Sequence, residues 1–318
     1  MAQSSRPGNS GGSDCYTLSM KRLIVNADDF GLTQGVNRAV VICHERGIVS
    51  STTLMATGAC FDEAVLLAAA LPRLSVGCHV VLVDGEPLLP AGEVDSLLAP
   101  GTKRFYHSIG EVLQAVTRGR FKACEIEAEA AAQIARLRNA GIRVSHFDTH
   151  KHTHMFPSIL RPLLRAASTH GVTALRNPFE VPGVVRIGEA LGNRKLLLRK
   201  AQTAVLRVLL RSRWLKAVHS AGFTTTDGSL GIAATGTLNA ASLRAMLARM
   251  PPGTWELVCH PGYNDRDLGL VRTKLRESRE VEMAALQSLS AADLREEFGA
   301  ELLSFARNSS HPATVANI

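Results

Sequence analysis

The chain has 318 residues, 46% of them hydrophobic, and a formal net charge of +8 at pH 7. This length supports one barrel-sized domain or two smaller ones, and the composition excludes a largely disordered chain. The charge is concentrated in residues 182–222, where nine Lys or Arg face the single acid Glu189, a net charge of +8 for that segment alone.

The two ends of the chain and the cysteines carry little chemistry. Residues 1–19 are rich in Ser and Gly and lack the apolar stretch of a signal peptide, so we expect a disordered tail there and a loose tail at residues 307–318. The six cysteines are scattered and include no CxxC pair. That pattern is typical of free thiols in a reducing compartment, and we expect a cytoplasmic protein.

Strands and helices alternate through most of the chain, as judged from the period of the apolar residues. Three glutamates, Glu125, Glu127 and Glu129, are expected to form a solvated helix face. The segment 84–108 is long and irregular and contains Pro and Gly, which predicts a substrate loop or lid.

The predicted elements follow the period of the apolar residues along the chain. Strands are predicted at 22–26, 49–55, 74–82, 143–145, 172–176, 223–226, 229–233, 255–259 and 301–305. Helices are predicted at 33–45, 61–70, 109–117, 124–139, 157–170, 195–216, 240–250, 274–286 and 291–298.

Two carboxylates and a histidine follow or end the first predicted strands. Asp28 and Asp29 come directly after the strand at 22–26, and His79 lies near the end of the strand at 74–82. The carboxyl ends of parallel strands are where α/β proteins place their chemistry. The alternatives are an Asp-rich turn that leads into a helix cap and a histidine that only fills the core.

Residues 146–154 hold four histidines and one aspartate on alternate positions, beginning with His146. Neutral imidazole is the commonest metal ligand in proteins, and a nearby carboxylate can orient it or join it. The stretch therefore predicts half of a metal site; the alternative is a solvated histidine-rich loop. The other members are Asp148, His150, His152 and His154.

Two further polar residues occupy predicted strand ends later in the chain. Arg176 ends the strand at 172–176, where it could hold a carboxylate or a polar substrate group, or could be a plain surface arginine. His260 follows the strand at 255–259. We interpret it as a proton donor, with a simple turn histidine as the alternative.

The basic segment predicts a helix in which a broad apolar stripe lies beside Lys and Arg. This pattern suits a membrane surface, because anionic headgroups attract the charges while the stripe enters the interface. It is too charged to span a bilayer. An amphipathic helix packed on its own domain explains residues 195–216 equally well, and the single aromatic residue Trp214 argues against nucleic acid as a partner.

Polar residues from five separate strand ends can converge only if the strands are parallel and roughly coplanar or closed. We therefore predict a TIM-like (β/α) barrel, with distortion allowed, as a single domain at residues 20–306 that carries residues 182–222 as a basic helical insertion. The residues concerned are Asp28, Asp29, His79, Asp148, His150, Arg176 and His260.

Several motifs, taken in order, resemble the YdjC-like carbohydrate deacetylases. The resemblance covers about residues 21–289 apart from the basic insertion. The insertion and residues 223–227 are similar to the hopanoid-biosynthesis-associated branch of that family. The motifs are Asn26–Gly31, Gly77–Leu82 with His79, His146–Pro157, Ala174–Arg176 and Cys259–Pro261.

The resemblance implies a barrel-like fold, one divalent metal ion, and hydrolysis of the N-acetyl group of an N-acetylglucosamine-type sugar. For the hopanoid branch it implies an N-acetylglucosaminyl hopanoid lipid as the substrate. The metal ligands of the family match Asp29, His79 and His150, and its catalytic base matches Asp28.

The donor set is consistent with that chemistry. One carboxylate and two imidazoles leave open positions on a metal ion for water and an acetamide oxygen. Zn²⁺ or Mg²⁺ is expected, and Mn²⁺, Co²⁺ and Ni²⁺ also fit such ligands. We expect His260 to protonate the departing amine, and Asp148, His152 and His154 to orient ligands or contact sugar hydroxyls.

Two other functions stay open at this point. One is a different metal-dependent hydrolase on the same scaffold, either a soluble chitooligosaccharide deacetylase or a phosphoesterase; a second metal site built by His152 and His154 would favour the phosphoesterase. The other is a non-catalytic protein that recruits a lipid-synthesis complex to the membrane. The expected partners are an N-acetylated sugar or glycolipid, a membrane surface contacted by residues 195–216 and, as a further option, a second copy in a homodimer.

Overall fold

The structure is a computed structural model that describes residues 20–183 and 194–308. Its strands are β1 (Lys21–Phe30), β2 (Ser51–Leu54), β3 (Ser75–Val80), β4 (Phe147–Thr149), β5 (Ala174–Leu175), β6 (Thr224–Thr225), β7 (Gly228–Leu230), β8 (Gly253–Cys259) and β9 (Ala300–Leu303). Its helices are α1 (Gln34–Arg46), α2 (Phe61–Ala70), α3 (Ile109–Thr117), α4 (Ala123–Asn139), α5 (Pro157–Thr169), α6 (Arg194–Ser220), α7 (Ala240–Arg249), α8 (Arg266–Leu270), α9 (Glu277–Gln287), α10 (Ala291–Phe298) and α11 (Phe305–Asn308). The tail predicted at residues 1–19, residues 309–318 of the second predicted tail and residues 184–193 of the insertion lie outside the described residues.

The strands form a parallel sheet that nearly closes into a barrel. Their order is β6-β5-β4-β3-β2-β1-β8-β7, with β9 also beside β1, and each of these pairs is parallel. Beyond β5, Glu180 forms a parallel bridge with Ser229 of β7, so the two ends of the sheet approach each other. The predicted (β/α) barrel is confirmed, and its strand ends share one face.

The first strand and helix show why the sequence folds this way. Leu23, Ile24 and Val25 are all fully buried, because β1 lies between neighbours and is covered on both faces. The Thr33 hydroxyl accepts a hydrogen bond from the Val36 amide at 3.2 Å and so caps α1. The cap is therefore Thr33 and not the aspartate pair, which leaves Asp28 and Asp29 free for other contacts.

The fourth strand is shorter than predicted and begins later. Residues 143–145 are not in a strand; β4 begins at Phe147 and ends at Thr149. A 3₁₀ helix, His150–Met155, follows, and within it Lys151 and His152 adopt left-handed backbone angles with φ of 55°. The histidine-rich stretch is thus divided between a strand and a tight turn.

The solvated glutamate face predicted for α4 is wrong at two of its three positions. Glu129 is fully buried and accepts hydrogen bonds from the backbone amides of Leu88 and Leu89 at 2.8 and 3.0 Å. Glu125 accepts one from the Ser96 amide at 2.7 Å. These two glutamates therefore satisfy backbone amides of the irregular segment 84–108. Of the three, only Glu127 faces solvent, where it pairs with Arg165.

The long helix α6 packs on the barrel through its C-terminal half and exposes apolar residues elsewhere. Trp214 is fully buried, and its indole N–H donates to the His154 carbonyl oxygen at 2.9 Å. Arg199 and Arg207 donate to the backbone carbonyls of Thr235 and Glu180. These contacts agree with a helix packed on its own domain. The exposed apolar residues Leu198, Val205, Val208 and Leu209 agree with a membrane contact. Among the described residues, no helix is long and apolar enough to cross a bilayer.

Candidate metal centre

Strands β1, β3 and β4 deliver polar side chains to one end of the barrel. Asp28 and Asp29 are consecutive, and neighbouring residues of a regular strand point to opposite faces. Asp29, however, has a left-handed backbone with φ of 67°, which breaks that alternation. The carboxylates of Asp28 and Asp29 consequently both reach the group formed by His79, Asp148 and His150.

Asp29, His79 and His150 converge on a common point. The Oδ1 atom of Asp29 lies 3.5 Å from His79 Nε2 and 3.4 Å from His150 Nδ1, and the two ring nitrogens are 3.2 Å apart. All three ligand atoms lie within 4.8 Å of one another. This is the spacing expected of atoms that share one ion.

The free oxygen of Asp29 supports a metal at this point. Asp29 Oδ1 is buried and has no hydrogen-bond partner among the residues that the structure describes. The other oxygen, Oδ2, accepts from Arg279 at 2.6 Å. Burial opposes ionisation of Asp29, but Arg279, His150 and His79 hold the pKa of its carboxyl well below the usual range. The side chain is thus a buried anion with one unused oxygen, which fits a divalent cation.

Asp148 orients His79 from behind. Its Oδ1 lies 2.6 Å from His79 Nδ1, so Nδ1 carries the proton of that bond and Nε2 faces Asp29 and His150. Burial lowers the pKa of His79, but the charge and hydrogen bond of Asp148 outweigh it and raise the pKa to about 9. A metal at the site would therefore displace a proton from this ring.

Arg176 lies at the centre of a buried charge network. It is fully buried, so the alternative of a plain surface arginine is wrong. Its guanidinium binds both oxygens of Asp28, at 2.5 and 2.7 Å, and also contacts Asp148 Oδ2 at 2.6 Å and Glu256 Oε1 at 2.7 Å. Burial raises the pKa of Asp28, but Arg176 more than offsets this effect and keeps the pKa lowered.

A second acidic group shares His79 with the first. Asp28, His79 and Asp148 are close enough to hold an ion. The Arg176 guanidinium, however, already bonds to both carboxylates of this group. A second cation there would be repelled by the arginine, so the group built on Asp29 is the better metal site.

His260 lies across Asp28 from Arg176. Its Nε2 is 3.8 Å from Asp28 Oδ2, and its side chain is 12% exposed at the edge of the site. The structure therefore brings His260 to the strand-end cluster. A ring nitrogen beside the candidate base, on a partly exposed side chain, can exchange a proton with a bound substrate.

His152 and His154 lie outside the candidate ligand groups, and their role in orienting ligands or contacting sugar hydroxyls stays a prediction. His154 is buried; its Nδ1 lies 2.7 Å from Thr149 Oγ1 and its Nε2 lies 3.2 Å from the Arg176 carbonyl oxygen. Burial lowers the pKa of His152 to about 3. Neither histidine belongs to a possible metal group among residues 20–183 and 194–308, so the feature that would favour a phosphoesterase is absent from them.

A comparison with family models bears on this geometry. The model described as YdjC-like protein matches residues 22–297, which is most of the chain and contains every residue of the cluster. The chain belongs to the YdjC-like protein family.

Curated relatives of this YdjC-like protein have sugar-related names. The carbohydrate deacetylase of Brevibacillus brevis is 41% identical over 151 residues, 48% of this chain and 57% of that protein. That of Thermoanaerobacter pseudethanolicus is 26% identical over 270 residues, 84% of this chain and 91% of that protein. The chitooligosaccharide deacetylase of Escherichia fergusonii is 34% identical over 179 residues, 54% of this chain and 68% of that protein.

A solved structure shares the fold of this YdjC-like protein. The crystal structure of a candidate cellobiose-phosphate cleavage protein from Enterococcus faecalis V583 superimposes with a TM-score of 0.70 at 26% identity. The superposition covers 91% of this chain and 99% of the Enterococcus faecalis chain. The nearly closed parallel barrel is therefore a shared architecture of the two proteins.

Three buried charged residues of the YdjC-like chain were missed in the sequence. Glu256 is a lone acid in the apolar strand β8, which was a usable signal, because buried acids are rare unless they are paired. Arg279 and Glu282 lie in α9, and nothing in the sequence distinguishes them from the many charged residues of surface helices. They contact Asp29 and His260, respectively.

Glu256 makes the stability of this YdjC-like protein depend on pH. Burial raises the pKa of Glu256 to about 8, with Asp148 and Asp28 adding to the rise and Arg176 opposing it. The pKa of a glutamate in the unfolded chain is near 4.3, so between about pH 5 and pH 8 the folded state binds more protons than the unfolded state. The contribution of Glu256 to the free energy of unfolding therefore falls as pH rises. We expect Glu256→Gln, which keeps an acceptor for Arg176, to gain about 2 kcal/mol in unfolding free energy relative to wild type from pH 5 to pH 8.

Urea unfolding of both proteins at pH 5 and pH 8 measures this difference. Glu45→Gln is the control, since Glu45 is exposed on α1 and should show the wild-type dependence. Equal changes of unfolding free energy with pH in wild type and Glu256→Gln would contradict the raised pKa.

Proposed function

We propose that this YdjC-like protein is a metal-dependent N-deacetylase that removes the acetyl group of an N-acetylglucosamine-type glycan. The observation that supports this most is the buried Oδ1 of Asp29, which has no hydrogen-bond partner among the described residues and lies 3.4–3.5 Å from two imidazole nitrogens. The carbohydrate deacetylase names of several relatives agree with it.

Asp29, His79 and His150 would hold one divalent ion, with Zn²⁺ or Mg²⁺ expected and Mn²⁺, Co²⁺ and Ni²⁺ also suited to these donors. Such an ion supplies Lewis acidity, which makes water a stronger acid and an amide carbonyl more electrophilic. One carboxylate and two imidazoles leave room for both oxygens.

Asp28 would act as the general base. Arg176 holds both of its oxygens and lowers its pKa, so the carboxylate is ionised and fixed in one orientation at neutral pH. It accepts the proton of the water whose oxygen attacks the acetyl carbon. A carboxylate with a low pKa is a weak base, and it can serve here only because the water is itself acidified.

His260 would act as the general acid. Its Nε2 lies 3.8 Å from Asp28 Oδ2, which places it beside the same substrate region. As the C–N bond of the acetamide breaks, His260 gives a proton to the leaving nitrogen, and acetate and the free amine are released. An amide nitrogen is a poor leaving group without that proton.

The finer substrate assignment is an N-acetylglucosaminyl hopanoid, as implied by the resemblance of residues 182–222 and 223–227 to the hopanoid-associated branch. Helix α6 supports a lipid substrate, because Leu198, Val205, Val208 and Leu209 are exposed beside exposed basic residues such as Arg213. Such a face would bind an anionic membrane surface peripherally, at the cytoplasmic side, and bring the site to its substrate.

The first test is acetate release from a panel of N-acetylglucosamine conjugates by metal-stripped and metal-restored enzyme. The panel contains soluble chitooligosaccharides and an N-acetylglucosaminyl hopanoid in lipid vesicles. We expect metal-dependent acetate from the hopanoid above all. Release from the soluble sugars alone would keep the deacetylase and remove the lipid, and no acetate from any conjugate would contradict deacetylation and favour a recruiting protein.

A matched pair of surface variants tests the membrane contact within the same assay. Val208 in α6 is 81% exposed and Leu270 in α8 is 83% exposed. We expect Val208→Glu to lower release from vesicles about tenfold with little change on soluble sugars, because a carboxylate opposes insertion into an anionic interface. Leu270→Glu should behave as wild type; equal behaviour of the two variants would argue against contact through α6.

A further inference from the structure

Helix α9 contacts both sides of the candidate site through two buried charged side chains. Arg279 and Glu282 are each 1% exposed and lie three residues apart, so they share one face of the helix. Neither residue touches the candidate substrate region directly. Each instead contacts a residue to which the proposed reaction gives a role.

Arg279 fixes the orientation of Asp29. Its Nη2 donates to Asp29 Oδ2 at 2.6 Å, in a pair that is almost completely buried. Because one carboxylate oxygen is held, the other is directed toward His79 and His150. Without the guanidinium, Asp29 could rotate and would lose the charge that keeps it ionised.

Glu282 holds His260 in two ways. Its Oε2 accepts a hydrogen bond from the His260 backbone amide at 2.7 Å, and its Oε1 accepts one from the Gly236 amide at 3.2 Å. The same Oε2 lies 3.9 Å from His260 Nδ1, a buried nitrogen with no hydrogen-bond partner among the described residues.

We propose that α9 is a positioning element, in which Arg279 aligns the metal ligand Asp29 and Glu282 aligns His260. This deepens the proposed deacetylase function and rests on it.

Glu282→Gln tests the acid side of the proposal. The carboxamide offers one acceptor oxygen where the carboxylate accepts from both the His260 and the Gly236 amides. We expect a roughly tenfold lower kcat for the N-acetyl sugar, because a misaligned acid protonates the leaving nitrogen poorly. Hydrolysis of 4-nitrophenyl acetate should change little, because nitrophenolate leaves without a proton. Glu282→Asp, which keeps both acceptor oxygens, should restore much of kcat, and Glu280→Gln, an exposed neighbour that accepts from the Asn264 amide, should match wild type.

Arg279→Gln tests the metal side with a readout other than activity. Competition with a chromogenic chelator for Zn²⁺ should show affinity lowered about 10- to 100-fold, as expected when the partner of a ligand is lost. Arg266→Gln, at an exposed position in α8, is the control.

The proposal requires both effects. An equal loss of kcat for the sugar and for 4-nitrophenyl acetate in Glu282→Gln would reveal a merely structural role and overturn the proposal. Wild-type Zn²⁺ affinity in Arg279→Gln would do the same. If wild type releases no acetate from any sugar, the deacetylase proposal fails separately, and the chelator titration still decides the role of Arg279.

Discussion

Replacing Asp28 by Asn is expected to leave the metal site intact while reducing acetate release by about 10²- to 10⁴-fold, the usual contribution of a general base. Asn has nearly the same shape as Asp, and its carbonyl oxygen can still accept from Arg176. It cannot accept the proton of the attacking water. Since Asp29, His79 and His150 do not depend on Asp28 for their mutual geometry, bound metal should stay at one ion per chain.

Metal content by elemental analysis and kcat by acetate assay, on the same preparations, check this separation of roles. Asp62→Asn, at an exposed position in α2, is the matched control for the loss of one carboxylate. Activity of Asp28→Asn within tenfold of wild type would show that Asp28 is not the base. Loss of the metal together with activity would place Asp28 among the ligands instead.

The residues at the strand ends could be predicted from the sequence, because the positions of the strands follow from the period of the apolar residues and from the order of strands and helices. Apolar runs that alternate with helical patterns imply parallel strands, and parallel strands share one end. Asp28, Asp29, His79 and Asp148 each stand at or beside such a run, so their meeting required no knowledge of side-chain contacts. The barrel was predictable for the same reason.

The histidine-rich stretch, residues 146–154, shows where the two-residue period of a strand does not predict the side-chain positions. Alternation holds from His146 through Asp148 to His150, and these residues follow one face of the sheet and its extension. Lys151 and His152 then take left-handed angles, which non-glycine residues adopt rarely and which no local signal predicted. His152 and His154 are therefore displaced from the row that the alternation implied.

The residues that support the cluster from α9 lay beyond the reach of sequence reasoning. Arg279 is 250 residues away from its partner Asp29 in the chain, and the helical pattern identifies a buried face without identifying what it meets. Glu256 was different, since an acid inside a buried strand needs a buried hydrogen-bond partner. The fully buried Arg176 is that partner.

Substitution of a metal ligand is expected to weaken metal binding by a factor at least as large as the loss of turnover expected for Asp28→Asn. His150→Ala is the cleanest case, because the His150 side chain is 22% exposed and its loss leaves no buried charge unpaired. His79→Ala removes one of the two charged partners of Asp148, and Asp29→Ala removes the carboxylate that pairs with Arg279, so both should also lower stability. We expect each variant to bind Zn²⁺ at least about 100-fold more weakly than wild type, beyond the roughly 10- to 100-fold typical of an outer partner.

Thermal unfolding with and without added metal measures this without any assumption about the substrate. A ligand that binds only the folded state stabilises it, by about 2.7 kcal/mol at 100 times its Kd. Wild type should therefore melt at a higher temperature with Zn²⁺ and lose the increment in EDTA, and His219→Ala, at an exposed position in α6, should do the same. The three ligand variants should show an increment of at most about 0.4 kcal/mol at the same concentration, because their Kd is then at least equal to the metal concentration. A wild-type increment in all three would mean that the ion binds elsewhere. The metal ion would then not lie beside Asp28 and His260, and the mechanism proposed for these two residues would be contradicted.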